Sequence, residues 1–69
     1  MDCTVQINAA RAALARAAWA RGLAPYYDEA AIIDLLVDIR HWCRAAGIDF
    51  AASDRCAAGI YRNETGSMS

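Results

Sequence analysis

Hydrophobic and polar positions along the chain repeat with the period of an α-helix in three segments. The first segment runs from about Thr4 to Arg21. It ends before Gly22, a residue favoured at helix C-termini, and Pro25 blocks its continuation. Residues at three- and four-residue spacing form its apolar face: Ile7, Ala10, Leu14, Ala17 and Ala18, with Ala12, Ala15 and Trp19 beside them. The pattern predicts one amphipathic helix.

The second segment has the strongest pattern and runs from about Glu29 to Ala46. Asp28 suits the N-cap position, and Glu29 in the first turn favours the positive end of the helix dipole. One stripe collects most of the large apolar residues: Ile32, Leu35, Leu36, Ile39, Trp42, Cys43 and Ala46. This stripe is wider than a one-sided surface helix needs. We therefore predict a central helix that contacts both neighbours or a partner chain.

A short turn separates the second helix from a third, which is predicted from about Phe50 to Asn63. Gly47 suits the left-handed position that ends helices, and Asp49 suits the next N-cap. No strand pattern or repeat is present. The sequence therefore predicts an all-α fold, a compact three-helix bundle with a long central second helix and a glycine-containing turn before the third. We predict one helical domain over residues 1–63 and a frayed tail over residues 64–69.

Composition suggests a thin core and a need for partners. The chain has 69 residues, and although 58% are hydrophobic, 17 of them are alanine, which buries little area. A core of this size contributes about 3–5 kcal/mol, so small domains often rely on disulfides, metals or oligomerisation. The wide stripe and the small core together predict a homodimer.

Charge and cysteine content exclude several classes of protein. The net charge is −1 with no lysine, which is not the basic balance of a nucleic-acid-binding protein. No apolar run approaches the roughly 18 residues that cross a bilayer. Three cysteines at unpaired spacing argue against a disulfide framework. We expect a cytoplasmic protein that does not bind a membrane, and nucleic acid is not the favoured partner.

Polar residues of the second helix suggest chemistry at first sight. Asp34, Asp38 and His41 share a helix face and resemble a weak metal-ligand set, but a solvated strip is the favoured interpretation. Cys43 lies two residues from His41, so the two point to different sides, and it is expected to be a buried structural thiol. With Cys56 it forms either a reduced pair or a disulfide. No phosphate loop, CxxC pair or Ser/His/Asp set is present, so no enzyme, metal site or cofactor is predicted.

The same polar strip is the favoured surface for a protein partner. It consists of Asp34, Asp38 and His41, with Arg40 and Arg44. Tyr26 and Tyr27 lie in a loop, where partly exposed tyrosines are either interface anchors or a lid over the end of the bundle. We expect binding by occlusion, in which acidic side chains pair with basic groups of the partner and an aromatic residue anchors the contact.

A small DNA-binding regulator is the alternative function. The Gly47-Ile48-Asp49 turn is similar to that of a helix-turn-helix, in which the second helix enters the major groove. The outward positions of the third helix are Ala51, Asp54, Arg55, Ala58 and Arg62. This surface has too little positive charge to contact many phosphates, so DNA binding is not the favoured prediction.

Residues 35–64, LLVDIRHWCRAAGIDFAASDRCAAGIYRNE, resemble a pattern of small proteins from bacterial plasmids, prophages and integrative elements. The pattern consists of an aliphatic pair, D-I-R-H-W-C, a G-I-D-F turn, D-R and a tyrosine near the C-terminus. Such proteins often bind a host protein, and inhibitors of bacterial defence systems, anti-CRISPR proteins among them, are one such group. The resemblance implies a non-enzymatic inhibitor encoded by a mobile element, and it implies no catalytic residues.

Overall fold

A computed structural model describes residues 2–66, which form three helices and no strand. They are α1 (Thr4–Ala20), α2 (Glu29–Ala46) and α3 (Phe50–Thr65). The predicted all-α fold with three helices is confirmed. The chain divides into two packing units, one of Asp2–Asp38 and one from Ile39 onward, and the boundary lies inside α2. Helix α1 contacts α2 in the first unit, and α3 contacts α2 in the second.

Helix α1 ends at a glycine in the left-handed conformation, as predicted. Gly22 has a φ of 79°. Its N–H donates to the carbonyl of Trp19 at 2.9 Å, and the N–H of Leu23 donates to the carbonyl of Ala18 at 2.9 Å. This pair of bonds is the Schellman motif, which satisfies carbonyls that a helix end leaves without partners.

Both ends of α2 also follow the sequence prediction. The Ala31 N–H donates to the Asp28 carboxylate at 3.0 Å, so Asp28 caps the first turn. At the other end Gly47 has a φ of 74°, and the Ile48 N–H donates to the carbonyl of Cys43 at 2.8 Å. The predicted left-handed ending at Gly47 is therefore present, and its hydrogen bonds form a Schellman motif.

Helix α3 begins where expected and ends later than expected. The Asp49 carboxylate accepts from the Ala52 N–H at 3.2 Å, which confirms the N-cap. The helix continues through Thr65 and is capped by Gly66 at a φ of 67°. The predicted end near Asn63 is two residues too early, because Gly66 supplies a C-cap that the apolar pattern does not reveal. The frayed tail over residues 64–69 stays a prediction. Residues 67–69 and residue 1 lie outside the described residues, and the single domain over residues 1–63 stays a prediction.

Alanines lie at the buried positions of the first unit. Ala18 on α1 is 1% exposed and Ala31 on α2 is 4% exposed. Leu14 and Leu35 are half-buried. Small side chains at these positions allow two helices to approach closely, so the thin core expected from the composition is present here.

The loop between α1 and α2 returns along α1. The Arg11 guanidinium lies 3.9 Å from the ring centroid of Tyr27, which is at the end of the loop. Arg21, after the end of α1, reaches Asp38 in the third turn of α2. A tight helical hairpin would instead place the start of α2 beside the end of α1. The extended segment 23–27 therefore carries the chain back toward the middle of α1.

The apolar stripe of α2 is mostly exposed, although α2 contacts both neighbouring helices as predicted. Ile32 is 50% exposed and Trp42 is 64% exposed, whereas Cys43 at 7% is buried as expected. Within the first unit, α1 packs on the side of α2 that carries Ala31 and Asp34, so Ile32 stays exposed. None of the helices within residues 2–66 is long and apolar enough to cross a membrane.

Candidate functional site

A polar network joins α1, the loop and α2. The Tyr26 hydroxyl donates to the Asp34 carboxylate at 2.6 Å. The Arg21 guanidinium donates to the Asp34 backbone carbonyl at 3.0 Å and to the Asp38 carboxylate at 2.6 Å. We call these four residues the Tyr26–Arg21 network. Asp34 and Asp38, expected to form a solvated strip, are therefore bonded within the chain.

The contact between Arg21 and Asp38 is the one ion pair in the part of the chain that the structure describes. The two side chains are 31% and 46% exposed, so water screens their attraction. Exposed pairs of this kind contribute about 0.2–1 kcal/mol. The pair also offsets the repulsion between two carboxylates four residues apart on one helix. Arg21 was missed as a site residue, and that carboxylate pair was the only sequence signal that a cation would lie nearby.

The contact with Asp34 changes the pKa of the Tyr26 hydroxyl. The hydrogen bond to Asp34 raises the pKa of the Tyr26 hydroxyl above its ordinary value of 10.0, and desolvation and the Asp34 charge add to the shift. Loss of the proton would remove the donor and bring two negative charges together. The tyrosine therefore holds the loop to α2 only in its protonated form.

Tyr26→Phe is expected to lower the melting temperature by about 2–5 °C, because Asp34 loses a hydrogen-bond donor. A group whose pKa is raised on folding stabilises the fold below its unfolded pKa, and this contribution disappears as the pH rises through the folded pKa. The difference between wild type and variant should therefore stay constant up to about pH 10 and shrink as the pH rises above that value. Thermal unfolding followed by circular dichroism measures it. Tyr61→Phe, at a 66% exposed tyrosine, is the matched control and should change little; an equal effect there would contradict the role of Tyr26.

Two arginines lie over aromatic rings. Arg11 covers Tyr27, which is 43% exposed, and the Arg40 guanidinium is 4.4 Å from the ring centroid of Phe50. Such cation–π contacts hold a flexible arginine in one position. Tyr27 and Arg40, both predicted to meet a partner, therefore already have a contact within the chain and still present part of their surface.

The largest exposed aromatic side chain of α2 is Trp42, at 64%. His41 precedes it and is exposed. Asp38 lies one turn earlier on the same side of the helix, because residues four apart are neighbours. We call Asp38, His41 and Trp42 the Trp42 surface. Arg44, also exposed, neighbours His41, which is three residues earlier, but it does not share the side of Trp42, because residues two apart do not face each other.

A second exposed region of α2 is aliphatic. Its members lie on the side away from Ala31 and Asp34, and we call them the aliphatic face: Ile32 at 50%, Ile33 at 54%, Leu36 at 41% and Val37 at 46% exposure. A single exposed aliphatic residue is ordinary on a protein surface, but four adjacent ones form a patch of the kind that marks contact with another molecule.

Thiol and metal chemistry have little support among the described residues. Cys43 is buried and Cys56 is exposed, and no disulfide joins them. No group of three or more His, Cys, Asp or Glu side chains within residues 2–66 is arranged to hold a metal ion. Comparison with known proteins found no matching family model, no similar curated protein and no similar solved structure.

Proposed function

We propose that this chain is a non-enzymatic protein-binding module that acts by covering a surface of another protein. The exposure of Trp42 carries the proposal. A tryptophan is costly to leave in water, and tryptophans are strongly enriched among the residues that dominate the energy of interfaces. Trp42 is the anchor of the contact, in place of Tyr26 and Tyr27, for which the sequence left open the roles of anchor and lid.

Charged neighbours give the Trp42 surface its specificity. Asp38 retains 46% side-chain exposure although it pairs with Arg21, so a basic group of the partner can reach it. His41, three residues after Asp38 on the helix, adds an exposed hydrogen-bonding group. A central aromatic residue with polar groups around it is the usual arrangement of an interface hot spot. The contact of Asp34 with a partner, also predicted, is the weaker part of the proposal because its carboxylate meets Tyr26.

The resemblance of residues 35–64 to mobile-element proteins supplies the biological setting of the proposal. The host partner is then a protein complex of a bacterial cytoplasm, and occlusion of a defence complex, as by an anti-CRISPR protein, is the mode of action. A homodimer is the other part of the proposal, since the aliphatic face offers a surface separate from Trp42.

Trp42→Ala is expected to reduce retention of the host partner at least tenfold, because truncation of a central tryptophan typically costs an interface about 2 kcal/mol or more. The measurement is affinity purification from the native bacterium with quantitative mass spectrometry. Trp19→Ala is the matched control, since Trp19 is 61% exposed on α1. The proposal fails if Trp42→Ala retains the same host protein as well as wild type, or if wild type retains none.

DNA binding by α3 is a second candidate, favoured by the three-residue turn between the Schellman end of α2 and the cap at Asp49. The exposed charges of α3 include Asp54 as well as Arg55 and Arg62. A regulator would bind duplex DNA with an affinity that falls steeply as salt rises, whereas a protein-binding module would not. A fluorescence anisotropy titration with duplex DNA at two salt concentrations separates the two functions.

A further inference from the structure

The aliphatic face of α2 has a charged residue of opposite sign at each end. Glu29, Ile33, Leu36 and Arg40 follow one another at spacings of four, three and four residues. This is the spacing of a coiled-coil seam, so the four side chains form a line along the helix. Ile32 and Val37 flank the line on its two sides. Glu29 and Arg40 are both exposed, and Glu29 has no ion-pair partner among residues 2–66.

We infer that the aliphatic face binds the same face of a second copy of this chain in an antiparallel, two-fold symmetric pair of α2 helices. With the two-fold axis between residues 34 and 35, Ile33 lies opposite Leu36 of the second copy. The same symmetry places Glu29 opposite Arg40 of the second copy, and it does so twice. On the two flanks of the interface, Ile32 approaches Ile32 of the second copy, and Val37 approaches Val37 of the second copy. One surface patch thereby supplies both halves of the interface.

Charge complementarity identifies a second copy, and the antiparallel direction, as the occupant. In an antiparallel pair each acid meets a base at the ends of an apolar centre. In a parallel pair Glu29 would face Glu29 and Arg40 would face Arg40, and like charges at such positions oppose association. A lipid surface offers no paired groups that would complement an acid and a base at equal distances from the centre of the face.

This inference rests on the homodimer part of the proposed function and is independent of Trp42. Only one helix face per copy is involved, so the interface is small, and we expect a weak dimer. Sedimentation equilibrium from about 10 μM to about 1 mM covers the range in which such a dimer forms and dissociates. Wild type should change from the 7.5 kDa of one chain toward twice that mass.

Ile33→Glu is expected to raise the dimer dissociation constant at least 100-fold, because it places two charges against leucine at the centre of the interface. Ile60→Glu is the matched control, since Ile60 on α3 is 57% exposed and lies outside the face. It should leave the dissociation constant unchanged. Circular dichroism of both variants establishes that the helices are intact. A wild type that stays at one chain mass overturns the inference, and so does an Ile33→Glu variant that still dimerises.

A charge exchange tests the direction of the helices. Glu29→Arg and Arg40→Glu should each weaken the dimer several-fold, and the double variant should recover to within about threefold of wild type. A parallel pair would show no such recovery, because each single change there merely replaces one like-charge contact by another. Wild-type dimerisation without this recovery overturns the antiparallel pairing while leaving self-association intact. None of these outcomes for the dimer would contradict the binding of a host partner through Trp42.

Discussion

Replacement of Ala18 by leucine is expected to destabilise the protein by about 1–3 kcal/mol. Ala18 is 1% exposed, so the three added carbon atoms have no room unless α1 and α2 move apart. Such a loss is a large part of the roughly 3–5 kcal/mol that a core of this size supplies. Urea unfolding followed by circular dichroism measures it as a lower transition midpoint.

The matched control is Ala13→Leu on the same helix. Ala13 is exposed, and leucine forms helix nearly as well as alanine, so its effect should stay within about 0.5 kcal/mol. If leucine were tolerated equally at both positions, α1 and α2 would not approach closely at Ala18, and the account of their packing would be wrong.

Gly47→Ala is expected to lower the melting temperature by about 4–8 °C, because alanine at a φ of 74° costs about 1 kcal/mol. No atom lies within 4 Å of the position that the new Cβ would take, so the loss comes from the backbone alone. This loss of stability arises at the Schellman end of α2, where the N–H of Ile48 donates to the carbonyl of Cys43. Differential scanning calorimetry gives the shift directly.

Gly59→Ala is the control, and its effect on stability is expected to have the opposite sign. Gly59 lies inside α3, and the nearest atom to an added Cβ is the Arg62 guanidinium at 3.9 Å. Alanine in a helix interior stabilises by about 0.5–1 kcal/mol relative to glycine. A melting temperature that rises for Gly59→Ala and falls for Gly47→Ala would establish that the two glycines differ in backbone role; a fall for both would contradict it.

Helix ends were the part of the fold that local sequence could predict. Asp28 and Asp49 cap helices through their own carboxylates, and Gly22 and Gly47 adopt the left-handed conformation that glycine tolerates best. These are interactions among residues close in sequence, so residue type largely determines them. The end of α3 shows the limit, because a glycine cap at Gly66 extends a helix beyond its last apolar residue.

The side of α2 that packs against α1 could not be predicted from hydrophobicity. The apolar stripe places Ile32 among the residues expected to contact a neighbouring helix or a partner chain, yet α1 contacts the side with Ala31 and Asp34. Alanine permits close approach, and Arg21 and Tyr26 supply the polar partners of the two carboxylates. Pairings of this kind join residues 8 to 17 positions apart, and periodicity within one helix carries no information about them.

The candidate site differs from its sequence prediction because contacts between distant residues determine it as well. The sequence predicted a partner-binding strip of acidic residues on α2 and placed Trp42 in the apolar stripe of the same helix. In the structure, Asp34 and Asp38 help to hold α1 and the loop on α2, while Trp42 and the aliphatic face are exposed. The proposed function assigns Trp42 to a host protein and the aliphatic face to self-association, so the two proposed contacts use different residues.

Contact of α2 with another protein chain is tested most directly by isotope-filtered NOE spectroscopy on an equal mixture of labelled and unlabelled protein. We expect intermolecular NOEs between the methyl groups of Ile33 in one copy and Leu36 in the other. Ile33→Glu should abolish them. Intermolecular NOEs that involve α3 instead, or none at a concentration of about 1 mM, would contradict the assignment of the aliphatic face as a protein-contact surface.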